Sequence, residues 1–399
     1  MSRWKERKLG DLLRIKHGYA FAGEHIVTDD NGKVLVTPGN FAIGGGWKPS
    51  YKKFYDGEFP DDYILREGDL VVTMTDLSKD VDTLGFSAKV PKDSRRAFLH
   101  NQRIGLVTDI ADEAEPDFLY WVMRTAEYRA SIVGTASGST VSHTSPTRIY
   151  EYVFDCPEPD EQRAIASVLS SLDAKIDLLH RQNKTLEGMA EALFREWFVE
   201  EAEEGWEEGT LGDILSVQGG TTPSTKNPAF WDGEFCWTTP RDLSGDQSLY
   251  LFDTARKITA EGLEQIGSGL LAVGTLLLSS RAPVGYMAFA SVPVAINQGY
   301  IAITGNEGYS NRFIYLWLKA NMETVKGHAN GSTFQEISKS DFKTIEIIIP
   351  PKERVEEFDQ VVESLFDKVK SNQIQTQSLT KLRDTLLPKL MSGEVRVEN

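Results

Sequence analysis

Two short segments place small hydroxyl and amide side chains on a glycine-bent backbone: Ala136-Ser137-Gly138-Ser139-Thr140-Val141-Ser142-His143 and Ala329-Asn330-Gly331-Ser332-Thr333-Phe334-Gln335. Groups of this kind approach phosphates closely and hydrogen-bond base edges, so the chemistry they suit is non-covalent recognition of a nucleic acid. The same residue types also build plain turns that enter a strand. Cations that could accompany them are sparse. Adjacent pairs stand at Arg7-Lys8, Lys52-Lys53, Arg95-Arg96 and Arg256-Lys257, and single Arg241 and Arg281 stand in largely neutral stretches. The candidate DNA-binding set is therefore Lys52, Lys53, Arg95, Arg96, Ser139, Thr140, His143, Arg241, Arg281, Asn330, Ser332, Thr333 and Gln335. A lone arginine is more often a solvated or salt-bridged surface group than a base reader. Tyr51, Phe54, Tyr55, Trp231 and Trp237 read as core and strand residues rather than a stacking platform.

Bond-making chemistry has no comparable foothold. The six histidines, His17, His25, His100, His143, His180 and His328, form no His-x-x-x-His pair and match no familiar metal-ligand spacing. No Gly-x-x-x-x-Gly-Lys-Ser/Thr phosphate loop occurs, and Gly44-Gly45-Gly46 lacks the strand-to-helix setting of a dinucleotide site. Asn227-Pro228-Ala229-Phe230 partly resembles the Asn/Asp-Pro-Pro-Tyr/Phe motif of amino-methyltransferases, but the second proline is missing and Gly219-Gly220 upstream is not a spaced glycine loop. It reads as a turn. No catalytic residue and no metal ligand is expected.

Composition sets the outer limits. At 399 residues, 40% hydrophobic and 26% charged, the chain has the make-up of a soluble globular protein large enough for two domains. Two cysteines, Cys156 and Cys236, support neither a disulfide framework nor a cysteine-rich zinc site, so a cytoplasmic setting is expected. No basic leader precedes an apolar run at the N-terminus, and the uncharged stretch 265–280 carries three glycines, so neither a signal peptide nor a membrane span is expected. A net charge of −16 opposes a simple basic nucleic-acid binder. Any DNA-binding role must rest on local patches, or on partner subunits that supply most of the positive charge.

The elements that would position the candidates repeat. Trp4, Leu9, Gly10, Asp11 and Gly18 return as Trp206, Leu211, Gly212, Asp213 and Gly220, each 202 positions later. Asn101-Gln102 returns as Asn297-Gln298, Phe118-Leu119-Tyr120 as Phe313-Ile314-Tyr315, and Gly138-Ser139-Thr140 as Gly331-Ser332-Thr333. Two similar domains follow. Short β-branched and aromatic runs closed by Gly, Pro, Asp and Asn make each mostly β, with one short helix per half, at 116–129 and 311–325.

Each half then ends in a helix of different character. Ile165, Leu169, Leu172, Ile176, Leu179, Asn183, Leu186, Ala190, Leu193 and Trp197 keep an unbroken 4-3-4-3 spacing, the seam of a coiled coil. Phe358, Val362, Leu365, Val369, Asn372, Thr376, Leu379, Arg383, Leu386 and Leu390 repeat it, less cleanly at Thr376 and Arg383. Asn183 and Asn372 interrupt the two seams as register-setting polar residues do. Prolines precede both helices, and Pro388 and Gly393 are expected to close the second. The expected organisation is a first domain over 1–158, a helix over 159–204, a second domain over 205–350 and a helix over 351–399. Two helices returning antiparallel would form a rod of about 37 residues, roughly 55 Å, with a domain at either end. Two separate helical hairpins, or a parallel dimeric coiled coil, are the alternatives.

In this order the chain resembles the specificity subunit of a Type I restriction-modification system, over nearly its whole length. The resemblance rests on the duplication and on family-like motifs: Trp4 with Leu9-Gly10-Asp11, Glu67-Gly68-Asp69-Leu70, and Pro157-x-Pro159-x-Glu161-Gln162-Arg163-x-Ile165 in the first half. In the second half they are Thr222-Pro223-Ser224, Phe230-Trp231-Asp232-Gly233, Trp237, Arg281-Ala282-Pro283-Val284-Gly285, Asn297-Gln298-Gly299, Asn330-Gly331-Ser332-Thr333 and Pro350-Pro351. One departure is Glu353-Arg354-Val355, where the family has a Glu-Gln pair. The resemblance implies an α+β chain with two mostly-β target-recognition domains, separated by an antiparallel two-helix coiled coil and related by a pseudo-two-fold internal repeat. It implies a non-catalytic subunit that reads a bipartite asymmetric target in double-stranded DNA and directs adenine methylation and restriction. Partners implied are two modification (methyltransferase) subunits and two restriction (nuclease-translocase) subunits, with no membrane. S-adenosylmethionine, ATP and Mg belong on those partners, and no cofactor on this chain. Off-seam Val168, Leu178, Met189, Phe194 and Phe198 suit either partner helices or the chain's own domains. The competing reading is a non-enzymatic coiled-coil scaffold with two β-rich protein-binding modules. A further alternative attaches the same chain to a fused nuclease-methyltransferase.

Overall fold

A computed structural model of the chain describes residues 4–138, 141–203, 205–244, 248–305, 308–331 and 335–397. Two compact units result: Met1–Ile176 with Leu379–Asn399, and Asp177–Ser378. Unit boundaries therefore cut through both long helices, and each domain folds together with a piece of each.

In the first unit, Arg14–His17, Ile104–Thr108, Leu70–Thr73 and Ser87–Lys89 form an antiparallel sheet in that order. A second, five-stranded sheet runs Ile26–Val27, Phe54–Tyr55, Lys33–Leu35, Ala97–Leu99, Ile64–Leu65, with one parallel pair, Ala97–Leu99 on Lys33–Leu35. The second unit repeats the theme with Ser216–Gln218, Tyr300–Gly305, Leu276–Ser279, Met287–Ala290 and Tyr250–Leu251 in one sheet, and Arg256–Ile258, Trp231–Thr238 and Val294–Ile296 in another. Leu70–Thr73 and Leu276–Ser279 are buried at every position, which is why they read as continuous apolar runs instead of alternating ones. The repeated Leu-Gly-Asp motif is a one-turn helix in each unit, closed by its aspartate. Asp11 accepts from the Lys8 backbone N–H at 3.2 Å, and Asp213 from that of Thr210 at 2.7 Å.

Where a single short helix was expected at 116–129 and at 311–325, each stretch breaks into two, Pro116–Val122 and Ala126–Gly134, then Asn311–Ala320 and Met322–Gly327, and further short helices lie at Pro146–Tyr150, Ala260–Glu264 and Lys339–Lys343. Capping explains the breaks. The Thr125 hydroxyl accepts from the Tyr128 N–H at 3.2 Å and starts a new helix, while the Asn321 amide donates to the Trp317 carbonyl at 2.9 Å and ends an old one.

The long helices span Pro159–Arg195 and Lys352–Met391. Pro388 does not close the second, because it lies in the last turn and the helix runs three residues further; Gly393, at φ +73°, follows the end. Inside the first unit Ile165 and Leu169 share a core with Leu386 and Leu390. Inside the second, Leu186 and Leu193 pack with Phe358, Val362, Leu365 and Val369, and Leu179 is buried. Leu172, Ile176 and Leu379 are half-buried. The pairing is antiparallel within each unit: Asn183 meets Asn372 while Phe194 meets Phe358, and Asp173 meets Arg383 while Glu161 meets Arg396. The off-seam residues divide. Phe194 and Phe198 join the second unit's core and Val168 the first's, whereas Leu178 and Met189 stay exposed.

Both interrupting asparagines are buried and bond to each other, Asn372 Nδ2 donating to Asn183 Oδ1 at 2.8 Å. Changing Asn183 alone to leucine strands a fully buried amide and is expected to cost about 1–3 kcal/mol, read from the denaturation midpoint. The double Asn183→Leu/Asn372→Leu variant should recover most of that loss. A single variant as stable as the parent would show that the pair does no work.

Candidate nucleic-acid interface

Each glycine-bent segment is a hairpin of the same build. Ser137 and His143 exchange backbone hydrogen bonds at 3.0 and 2.8 Å, and Asn330 and Glu336 do so at 2.9 and 3.0 Å. The glycine one residue in lies at φ +106° in the first and +109° in the second, a region closed to most L-residues, which is the reason both copies keep it. Both hairpins dock on the strand that leaves the core sheet: Thr144 N–H donates to the Met74 carbonyl and Ile337 N–H to that of Ser280, each at 3.0 Å. Ser139, Thr140, Ser332 and Thr333 lie outside the described residues.

What differs is the chemistry carried by equivalent positions. In the first hairpin Arg148 Nη1 donates to Ser137 Oγ at 3.0 Å and to the His143 carbonyl at 3.2 Å. The residue 193 positions on is Asp341, which accepts from Asn330 Nδ2 at 3.1 Å. An arginine-serine clamp has thus become an aspartate-asparagine clamp. Beside the first hairpin, the His143 ring nitrogen lies 3.2 Å from the Thr75 hydroxyl. Its neighbour Asp76 folds the following loop, accepting from Ser78 N–H at 2.6 Å and from the Thr83 hydroxyl at 2.7 Å. Burial works against that carboxylate, but the donated hydrogen bonds outweigh it and hold the group below the usual carboxylate range. Beside the second hairpin, Arg281 lies 3.5 Å from Glu336.

The other candidates scatter. Lys52, Lys53, Arg241 and Gln335 are exposed, with side chains unpartnered among the described residues. Arg95 lies 3.8 Å from Asp93. Arg96 is committed internally, bonded to Asp30 at 2.7 Å and Asp93 at 3.1 Å with its guanidinium 4.9 Å over the Tyr51 ring. Phe54, Tyr55, Trp231 and Trp237 are buried, as core residues should be. Arg148, Asp341 and Thr75 were missed. The only sequence signal for the clamp was positional, the constant offset that aligns 148 with 341.

Among the described residues no cluster of His, Cys, Asp and Glu could hold a metal, and no helix is long and apolar enough to cross a membrane. His100 is buried with its pKa pushed down to about 4, a neutral core histidine bonded to the Ile104 carbonyl at 2.9 Å.

A family described as the Type I restriction modification DNA specificity domain matches residues 1–188 and 203–383. The Type I restriction enzyme HindI specificity subunit of Haemophilus influenzae is 26% identical over 99% of this chain and 100% of its own. The MjaIX specificity subunit of Methanocaldococcus jannaschii is 32% identical over 48% of this chain, a match spanning 45% of that relative's length. Among solved structures, the S subunit of a Type I restriction-modification system from M. genitalium superposes with a TM-score of 0.61 at 18% identity, over 97% of this chain and 96% of that one. At that identity the likeness speaks for the fold.

Proposed function

Because the chain belongs to the Type I restriction-modification DNA specificity family, a family of non-catalytic DNA-recognition subunits, we propose that each unit reads one half of a bipartite, asymmetric duplex target. Adenine methylation and restriction are then directed to that target and carried out by partners. The observation that carries this reading is the pair of hairpins, one backbone design with two side-chain sets. Arg148 and His143 in the first unit, against Asp341, Glu336 and Arg281 in the second, present different donors and acceptors on the same scaffold. Two readers of one build and different chemistry suit two different half-sites.

The paired long helices act as the spacer between half-sites. Two modification subunits bring S-adenosylmethionine, and two restriction subunits bring ATP and Mg, all in the cytoplasm. The phosphate charge that an acidic chain leaves uncompensated is met by those partners. Exposed Leu178 and Met189 offer partner helices an apolar contact.

Sequencing of methylated adenines in cells that co-express the chain with its modification subunit tests this. The expected product is one motif in two parts, absent when either subunit is expressed alone. Exchanging residues 1–155 for those of another member should change one part and leave the other. A continuous motif, or a change in both parts, would overturn the assignment.

A further inference from the structure

One loop of the first unit, outside both hairpins, is held by hydrogen bonds with Ser87 and Arg124. Gly44, Gly45 and Gly46 all lie at positive φ, +87°, +87° and +92°, and lift Ile43 into solvent at 75% exposure. Ala42 N–H donates to the Gly46 carbonyl at 2.9 Å, and Gly46 N–H to that of Ser87 at 2.8 Å. Arg124 braces the loop from below, its Nε donating to the Gly44 carbonyl at 2.9 Å. That guanidinium is spent: it lies 4.3 Å over the Trp121 ring and bonds Asp173 of the first long helix at 2.6 Å. Asp173 in turn accepts from Arg383 of the second at 2.5 Å. The chain therefore fixes this loop to the helix pair.

Beyond the glycines the loop carries Lys48, Lys52 and Lys53, all exposed and none with a partner among the described residues. Three uncompensated cations within six positions are unusual in a chain of net charge −16. Of the side chains that pair with base edges, residues 42–53 contain no Arg, Asn or Gln and only lysine, which can reach guanine but lacks a planar fork to fix its geometry, and Tyr51 is held by the Trp47 indole N–H at 3.3 Å. What remains are lysine point charges on a fixed frame.

We propose that the loop 42–53 is a sequence-neutral contact to the DNA phosphate backbone, held in place by Arg124. The inference rests on the DNA-reading proposal above and adds a contact that carries affinity without motif information. The test compares the parent with a Lys48→Ala/Lys52→Ala/Lys53→Ala variant, each purified with its modification subunit. Binding to a duplex carrying the methylated motif is measured across a salt series. The slope of log affinity against log salt should become shallower by about 2 to 3, since each lost phosphate contact removes about 0.9, while the motif stays the same. Gly45→Ala is the second variant. It leaves every charge but places a Cβ 2.7 Å from Arg124 Cγ, and it should weaken binding with the motif unchanged. An unchanged slope in the lysine variant, or a changed motif in either, overturns the inference. Failure of the parent to bind the duplex overturns the DNA-reading proposal instead.

Discussion

Replacing Asp173 by alanine is expected to destabilise the first unit by about 3 kcal/mol, the low end for removing one partner of a buried ion pair. Two guanidiniums converge on that carboxylate, and the Arg124 side chain is only 5% exposed, so its charge has no route to water once the partner is gone. The loss should appear as a lower urea midpoint with m unchanged. Asp173→Asn should lose less, because one hydrogen bond survives. Burial alone would raise the Asp173 pKa, yet Arg124 and Arg383 outweigh it and hold the carboxyl below the usual carboxylate range. A depressed folded value stabilises above the unfolded pKa of about 3.9 and stops doing so as pH falls through the folded value. The advantage of the parent over Asp173→Asn should thus stay flat from about pH 5 to 8 and shrink only below about pH 4. An advantage that fades between pH 5 and 8 would place the effect on another group.

The same triad shows where sequence reading stops. Arg383 reads as a flaw in the second seam, because periodicity reports only a residue's position relative to its own helix. Beside its neighbour Asp384 it bonds Asp173, 210 positions earlier, which also accepts from Arg124, and nothing local marks either distant residue as part of the cluster. Asn183 and Asn372 were legible for the opposite reason: a polar residue on an apolar seam needs a partner on the facing seam, and each supplies the other's. The departure at Glu353-Arg354 has a structural account as well. At the first helix start Gln162 bonds the Glu115 N–H at 2.9 Å and the carbonyls of Glu113 and Pro157 at 2.9 and 2.8 Å. At the second, Arg354 pairs with Glu201 at 2.9 Å and lies 4.1 Å over the Trp197 ring. Val355, 193 positions on from Gln162, is buried in the core instead, whereas Arg354 matches Glu161, which pairs with Arg396, so the ion pair is kept with its charges reversed while residue identity between the repeats is lost. The hairpins follow this rule too. Their glycines were visible because φ near +110° admits few other residues, whereas the clamps at 148 and 341 were invisible because only their positions match. Parallel strand pairs such as Ala97–Leu99 on Lys33–Leu35, far apart in sequence, carry no local signal at all.

Lengthening the first long helix by four residues at exposed Gln182 is expected to widen the unread gap of the target and leave both of its half-sites as they are. Four residues add about 6 Å of helix, against roughly 3.4 Å per base pair, so the gap should grow by about one or two base pairs. This is an upper bound, because the unextended second helix must adjust along its length. Four residues turn the helix by about 40° more than one full revolution, a stutter that coiled coils absorb by local unwinding. Folding therefore should survive, and far-UV circular dichroism with co-purification of the modification subunit checks that it does. Sequencing the methylated adenines then reads gap and half-sites in the same experiment. A hairpin-reading defect would alter bases within one half-site, and a general loss of affinity would lower methylation everywhere without moving its pattern. Only a spacer changes the distance between two otherwise unchanged parts. A folded, partner-bound variant that methylates the original motif at its original spacing would remove the helices from that role.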